Sequence, residues 1–356
     1  MLRSAPKRHS VPSWKEFLSQ SIETAEDLKQ WLGSDIPRIK DTIRRFPMRI
    51  NPYYLGLIRA QDDPIYRQCV PDPRELEDMQ GSVDPLAEER YSPLPGLTHR
   101  YPDRVMFLVS NQCAVYCRFC NRKRKVGHQG IVTEQTIKEG LSYIKAHKEV
   151  RDVLLSGGDP LLLETSELEN ILRSLREIPH VEIIRIGTRV PCTLPQRVTQ
   201  RLASVIAKFH PVYINTHFNH PREITSEAAK ACTTLADAGI PLGCQTVLLR
   251  GVNDNTETMR QLMQRLLTIR VRPYYLFQCD QARGTAHFWT HPQKGLEIIA
   301  SLVGHTSGLC VPHYCIDLPG GGGKVPLLPQ YIQGVKEKHL VIKNYEGKLC
   351  NYPIYC

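Results

Sequence analysis

From position 105 the chain alternates short apolar runs with helical stretches, and that rhythm restricts its fold more than any other feature. Runs at 105–109, 153–155, 181–186, 212–216, 242–249 and 272–277 read as strands. Between them, Leu168, Ile171, Leu172 and Leu175 fall on one helical face, as do Met259, Leu262, Met263 and Leu266. Strands alternating with helices imply a parallel sheet with right-handed crossovers. Six such units are too few for the usual closed eight-stranded barrel, so the expectation is an α/β fold built as an open, partial (β/α)6 barrel. Ligands of such folds gather at the carboxyl ends of the strands, and the unusual motifs here fall just after predicted strands.

Beyond the first strand stands Cys113-Ala-Val-Tyr-Cys117-Arg-Phe-Cys120, three cysteines at a C-x3-C-x2-C spacing. A loop of this kind can wrap three thiolates round one corner of an iron–sulfur cluster, leaving one of four irons open for a small molecule. Zinc fits less well, because the C-x2-4-C…H-x3-5-H pattern is missing. The plain alternative is three ordinary cysteines in a turn.

Composition narrows the classes. A chain of 356 residues, 41% hydrophobic, buries a substantial core as one large domain or two smaller ones. The first ten residues are polar and lack the apolar segment of a signal peptide. No run approaches the ~18 apolar residues of a membrane span. The twelve cysteines therefore read as metal ligands and core residues of a cytoplasmic protein. A net charge of +10 invites a nucleic-acid reading, but aromatic content is 7% and the basic residues are dispersed. One basic knot at 118–125 flanks the cysteines, where it could serve substrate or cofactor anions.

Ahead of the strands, 13 to about 65 reads as helical. Ser13-x-x-Glu16 forms a capping box, and Leu28, Trp31 and Leu32 make one apolar face. This region is expected to pack and to carry no chemistry. The acidic, turn-rich stretch at 72–90 reads as a linker or surface arm.

Two further motifs bear on function. Ser156-Gly157-Gly158-Asp159-Pro160 follows the second strand; paired glycines admit close approach of a ligand, and the Asp can accept from an ammonium group. Alone, it reads better as a plain turn. Asp317-Leu-Pro-Gly320-Gly-Gly-Gly323-Lys324 is rarer. Its free N–H groups and its lysine could cradle a phosphate, although Val325 rules out a Walker A loop. Its lysine could instead form a Schiff base with pyridoxal phosphate (PLP). A mobile surface loop is the plain reading.

Together these stretches, with Arg185-Ile-Gly-Thr-Arg-Val-Pro191, Asn215-Thr-His-Phe-Asn-His-Pro221, the run at 236–243 and the run at 247–254, resemble the lysine 2,3-aminomutase family of the radical S-adenosylmethionine (SAM) superfamily. The resemblance spans roughly 93–347. It implies a partial barrel of the radical SAM type over 93–290, an N-terminal helical extension and linker arm over 1–92, and a C-terminal PLP-binding segment over 291–356. It also implies an isomerase that uses a [4Fe–4S] cluster, SAM and PLP to move an amino group from C2 to C3. The substrate implied is L-lysine, giving β-lysine, with arginine or glutamate as the alternatives.

Residue roles follow from motif position. Cys113, Cys117 and Cys120 would hold the cluster. Ser156, Gly157, Gly158, Asp159, His217 and Gln245 would bind SAM. Arg100, Tyr101 and Arg104 would contact the PLP phosphate, with Lys324 as its lysine. Arg122 would pair with the substrate carboxylate. Asp280 and Asp317 would hold a side-chain ammonium. A glutamate enzyme is expected to lack that acidic pair, since two carboxylates facing a third repel in a dry site. The resemblance further implies an electron donor such as flavodoxin or ferredoxin and a homo-oligomer, with no nucleic acid and no membrane.

The chain departs from the family pattern in places. Asn255 stands where zinc-bearing members place a cysteine, and Cys350 with Cys356 cannot complete a four-ligand site, so no such zinc is expected. Phe277 stands where lysine enzymes often place a tyrosine. Two other classes fit less: a radical SAM enzyme acting on RNA, which has no use for PLP, and a non-catalytic iron–sulfur scaffold.

Overall fold

A computed structural model describes residues 13–127 and 130–355. The polar first ten residues and Cys356 lie outside the described residues. The main sheet runs in simple chain order: β1 (Leu97–Tyr101), β2 (Arg104–Ser110), β3 (Asp152–Gly157), β4 (Ile183–Thr188), β5 (Val212–Thr216), β6 (Leu242–Leu248), β7 (Arg272–Gln278), β8 (His313–Leu318) and β9 (Gly323–Pro326). Pairings from β2 through β8 are parallel, and antiparallel β1 and β9 close the two edges. The six expected strands are all present. A seventh parallel strand, β8, joins them; its mixed sequence, His-Tyr-Cys-Ile-Asp-Leu, hides it from a search for apolar runs.

Strand periodicity divides the sheet into two faces. Val153 and Leu155, Ile184 and Ile186, Val212 and Ile214, and Leu276 are buried in the core. That side packs against the crossover helices, including Thr165–Arg176 and Thr256–Thr268, whose expected apolar faces are buried. Each such side chain contributes about 1.5–3 kcal/mol on burial. The alternate residues, among them Met106, Leu154, Ser156, Arg185, Gln245 and Phe277, line a cavity on the other face. The edges meet across that cavity: Arg100 on β1 pairs with Asp317 on β8, and Tyr101 accepts from the backbone of Lys324 on β9. The sheet is therefore curled into an open barrel.

The N-terminal region breaks into short helices rather than long ones: Trp14–Ser19, Ala25–Leu32, Ile39–Arg45, Pro52–Leu55 and Pro64–Cys69. Caps punctuate them. The Ser13/Glu16 box forms, and Asn51 and Asp63 cap helices that begin with proline. Leu28 is buried, whereas Trp31 is 39% exposed and does not share its core contact. This region also moulds the cysteine loop. Arg49 and Gln68 carbonyls accept from Tyr116 and Arg118 N–H groups, and Asn51 donates to Ala114 O at 3.1 Å.

The stretch at 72–90 is not a surface arm. Glu75, Asp78 and Glu88 are buried, and Asp78 caps backbone N–H groups of Gly81 and Gly284. Composition suggested solvent exposure because these acids are read singly; the structure matches them to the basic knot at 118–125. Residues 332–353 form a separate antiparallel sheet of β10 (Ile332–Lys336), β11 (His339–Lys343) and β12 (Leu349–Pro353). No helix among the described residues is long and apolar enough to cross a membrane.

Candidate active site

A cavity of about 620 Å³ opens where the parallel strands end, and every site residue expected from sequence lines it. Cys113, Cys117 and Cys120 sit on the loop after β2, each partly buried. Burial pushes the Cys113 thiol well up and the Cys120 thiol up to about 11, so bare thiolates are unfavourable here. The loop brings three thiols to one wall of the cavity, a soft donor set of the kind that iron–sulfur clusters take as thiolates.

Gly157 and Gly158 serve the cysteine loop before any ligand. Gly157 has φ +138°, and a Cβ there would lie 2.2 Å from Ser110 O; one on Gly158 would lie 2.3 Å from Gln112 O. Asp159 departs from its expected role. Its carboxylate accepts from Leu161 N, Thr188 Oγ1, Arg189 N and Val190 N at 2.6–3.2 Å. A carboxylate has about four acceptor sites. They are filled, so Asp159 locks the end of β3 to the end of β4 and has no site left for an ammonium group. Across the cavity, burial and the Arg189 charge push His217 down to about 4, so its imidazole is neutral at pH 7.

The glycine run is a hairpin, not a free loop. Gly320, Gly321 and Gly323 take φ of +67°, +85° and +87°, the left-handed region that glycine tolerates. The turn places Lys324 directly opposite Asp317 across β8 and β9. The Lys324 ammonium pairs with Asp317 Oδ2 and lies 4.9 Å from the Phe277 ring centroid. Arg100 Nη2 holds the other oxygen of Asp317 at 2.9 Å and also donates to Tyr101 OH. Arg104 stacks 4.0 Å over the Tyr101 ring. Two guanidinium groups and the hairpin lysine thus meet at one end of the cavity, a donor set suited to a phosphate and its aldehyde.

Asp280, after β7, faces this group. Burial raises its carboxyl to about 6, with the Asp317 charge adding to the shift; Asn121 and Lys324 oppose it. Asn121 Nδ2 donates to Asp280 Oδ2 at 2.7 Å. Next in the chain, Arg122 Nε donates to Glu88 Oε1 at 2.7 Å.

The chain resembles known proteins over most of its length. Residues 107–263 match the model of the radical SAM superfamily, and residues 299–354 match a lysine-2,3-aminomutase model. An L-lysine 2,3-aminomutase of Methanococcus maripaludis is 49% identical over 96% of this chain and 82% of its own length. One from Acetoanaerobium sticklandii is 50% identical over 95% of this chain and 84% of its own. A glutamate 2,3-aminomutase of Clostridioides difficile is 48% identical over 87% and 74%.

The chain belongs to the lysine 2,3-aminomutase family. It is an aminomutase, an isomerase that works with a [4Fe–4S] cluster, SAM and PLP. The thiol loop and the cationic end of the cavity fit the cluster and PLP respectively.

Several residues that line or support the cavity escaped the sequence reading. Glu88 lines the cavity from the stretch taken as an arm. Burial would raise its carboxyl, but Arg122, Lys125 and Arg124 outweigh it and hold Glu88 at about 2. Glu75 does the same for Arg118 and Lys123. The basic knot is thus largely neutralised from within and is not a general anion site. Arg189, inside the Arg185–Pro191 motif, donates to Cys117 Sγ. The signal for the acids was their number, matched against the knot's.

Proposed function

We propose that this chain moves the amino group of L-lysine from C2 to C3, giving β-lysine. The observation that carries the reading is a primary ammonium already seated at the expected place. Lys324 Nζ rests against Asp317, with Asp280 facing it. A lysine side chain presents the same group on a stem long enough to leave its backbone atoms elsewhere in the cavity. Overall identity does not separate the substrates, since the lysine and glutamate relatives match this chain almost equally. The acidic pair supports lysine: a third carboxylate here would be repelled, whereas an ammonium relieves the repulsion between two.

On this reading Cys113, Cys117 and Cys120 hold the cluster. Ser156, Gly157, Gly158, His217 and Gln245 cradle SAM, with Asp159 bracing the segment. Arg100, Tyr101, Arg104 and Lys324 hold PLP, and Arg122 takes the substrate carboxylate. When bound, SAM at the reduced cluster supplies a radical able to take hydrogen from an unactivated carbon, and PLP supplies the π system through which nitrogen migrates. The chain's own residues grip the substrate at both ends, which fixes C3 and keeps water out. The stretch 93–290 carries the cluster loop, the barrel sheet continues past it through β8 and β9 into the segment that carries Lys324, and the described residues 13–92 brace the cysteine loop. A small electron-transfer protein such as flavodoxin or ferredoxin supplies the electron, and the enzyme works as a homo-oligomer.

The test is turnover of the anaerobically reconstituted chain with lysine, arginine and glutamate, read as β-isomers. Lysine is expected to react fastest. Glutamate turnover equal to or above that of lysine overturns the proposal.

A further inference from the structure

Arg189 is the first residue after β4, and its side chain is one of the most heavily bonded in the molecule. Its backbone N–H donates to Asp159 Oδ2 at 2.7 Å. Its Nη2 donates to Gln68 Oε1 at 2.6 Å, Glu223 Oε1 at 2.7 Å and Tyr54 OH at 3.0 Å. Its Nη1 donates to Cys117 Sγ at 2.8 Å. The guanidinium also lies 5.3 Å from the ring centroid of Phe119, between Cys117 and Cys120. Glu223 is fully buried and is held in turn by Asn219 N, His220 N and Tyr54 OH.

These contacts orient a buried ion pair. The negative end, Glu223, lies on the Nη2 side; the positive end, Nη1, touches the sulfur. A planar fork can hold both ends at once, which a lysine point charge cannot. Hydrogen bonds and positive charge at a cluster thiolate stabilise the state with the extra electron, and burial keeps water from screening them. None of the contacts involves a substrate-facing residue, so the arrangement acts on the cluster side of the cavity.

We propose that Arg189 is a positioning residue that fixes a positive charge on Cys117 and thereby makes the cluster easier to reduce. The inference rests on the reading of Cys117 as a cluster ligand. Its direction follows from the geometry: without the guanidinium the cluster should be harder to reduce.

The experiment uses the full reconstituted chain without substrate and reads iron content together with a redox titration followed by electron paramagnetic resonance. Arg189→Met is made together with Glu223→Gln, so that no uncompensated carboxylate is left buried. Iron content should hold, and at a fixed potential the reduced-to-oxidised ratio should fall about tenfold, equivalent to about 59 mV for one electron. Arg189→Lys should shift it less. Glu223→Gln alone removes the counter-charge and should move the ratio the opposite way. If the double variant loses iron, the Glu223→Gln result decides. An unchanged midpoint in either iron-retaining variant overturns the proposal. Full iron in Cys117→Ala would instead overturn the ligand assignment beneath it.

Discussion

Glu88 Oε1 accepts from Arg122 Nε over 2.7 Å, and its second oxygen faces Arg124 and Lys125. One buried carboxylate therefore holds three cations and aims the arginine proposed to grip the substrate. Removing it takes away the carboxylate partner of Arg122, while Arg124 keeps Asp84 and Glu89 and Lys125 keeps Glu89; breaking a buried pair of this kind costs about 3–5 kcal/mol. Glu88→Gln is expected to lower stability by that order and to raise KM for lysine more than it lowers kcat. Denaturation curves and steady-state kinetics check both. The pH sign follows as well. Glu88 sits at about 2 when folded, below its ordinary value, so its contribution is full above the ordinary value and is lost as pH falls toward about 2. The variant's stability deficit should shrink over that range.

The three cysteines make a sharper test. Replacing Cys113, Cys117 or Cys120 singly with Ala should remove the cluster's absorbance and abolish turnover, with the fold retained by circular dichroism. A full complement of four irons in such a variant would refute the assignment.

Lys324 is expected to carry PLP covalently. Borohydride reduction of the parent enzyme followed by peptide mapping should label Lys324, and Lys324→Ala should lose the label. Because Lys324 also neutralises Asp317, the variant should bind lysine no more weakly than turnover loss suggests; the ammonium of the substrate takes the vacated place. Label on another lysine would end the idea.

What could be read in the sequence was what short-range chemistry writes there. Three thiols within eight residues, a run of glycines ending in Lys324, and apolar runs such as Val153–Leu155 each carry their meaning locally. What could not be read depends on partners far along the chain. Glu88 looks like a solvated acid until β2 brings Arg122 against it. Asp159 looks available until β4 delivers Thr188 and Arg189 to it. Strand β8 was missed because His313 and Asp317 break its apolar run, and it is held by pairing with β7 as much as by its buried Tyr314 and Cys315. Asn255, read as a missing zinc ligand, turns out to cap the helix Thr256–Thr268 through Thr258 N.

The acidic pair gives the last prediction. Asp280 sits at about 6 because it is buried and faces Asp317, against the pull of Asn121 and Lys324. Below that pH it carries a proton and loses its attraction for an ammonium. The free enzyme should therefore show an acid limb in kcat/KM for lysine near pH 6. Bound ammonium stabilises the charged carboxylate, so the limb in kcat should lie at lower pH. Asp280→Asn should flatten the limb and reduce kcat/KM by about 2–5 kcal/mol, as for loss of one member of a buried charge pair. The sign for folding is opposite. The folded value lies above the ordinary one, so ionised Asp280 weighs against the fold at neutral pH, and that burden lifts as pH falls through 6. Asp280→Asn should thus melt higher than the parent at pH 8, and that advantage should shrink as pH falls below 6 and vanish only below the ordinary value of 3.8, while the variant turns over lysine poorly throughout. A limb near pH 6 that survives unchanged in Asp280→Asn would assign it to another group and remove Asp280 from substrate recognition.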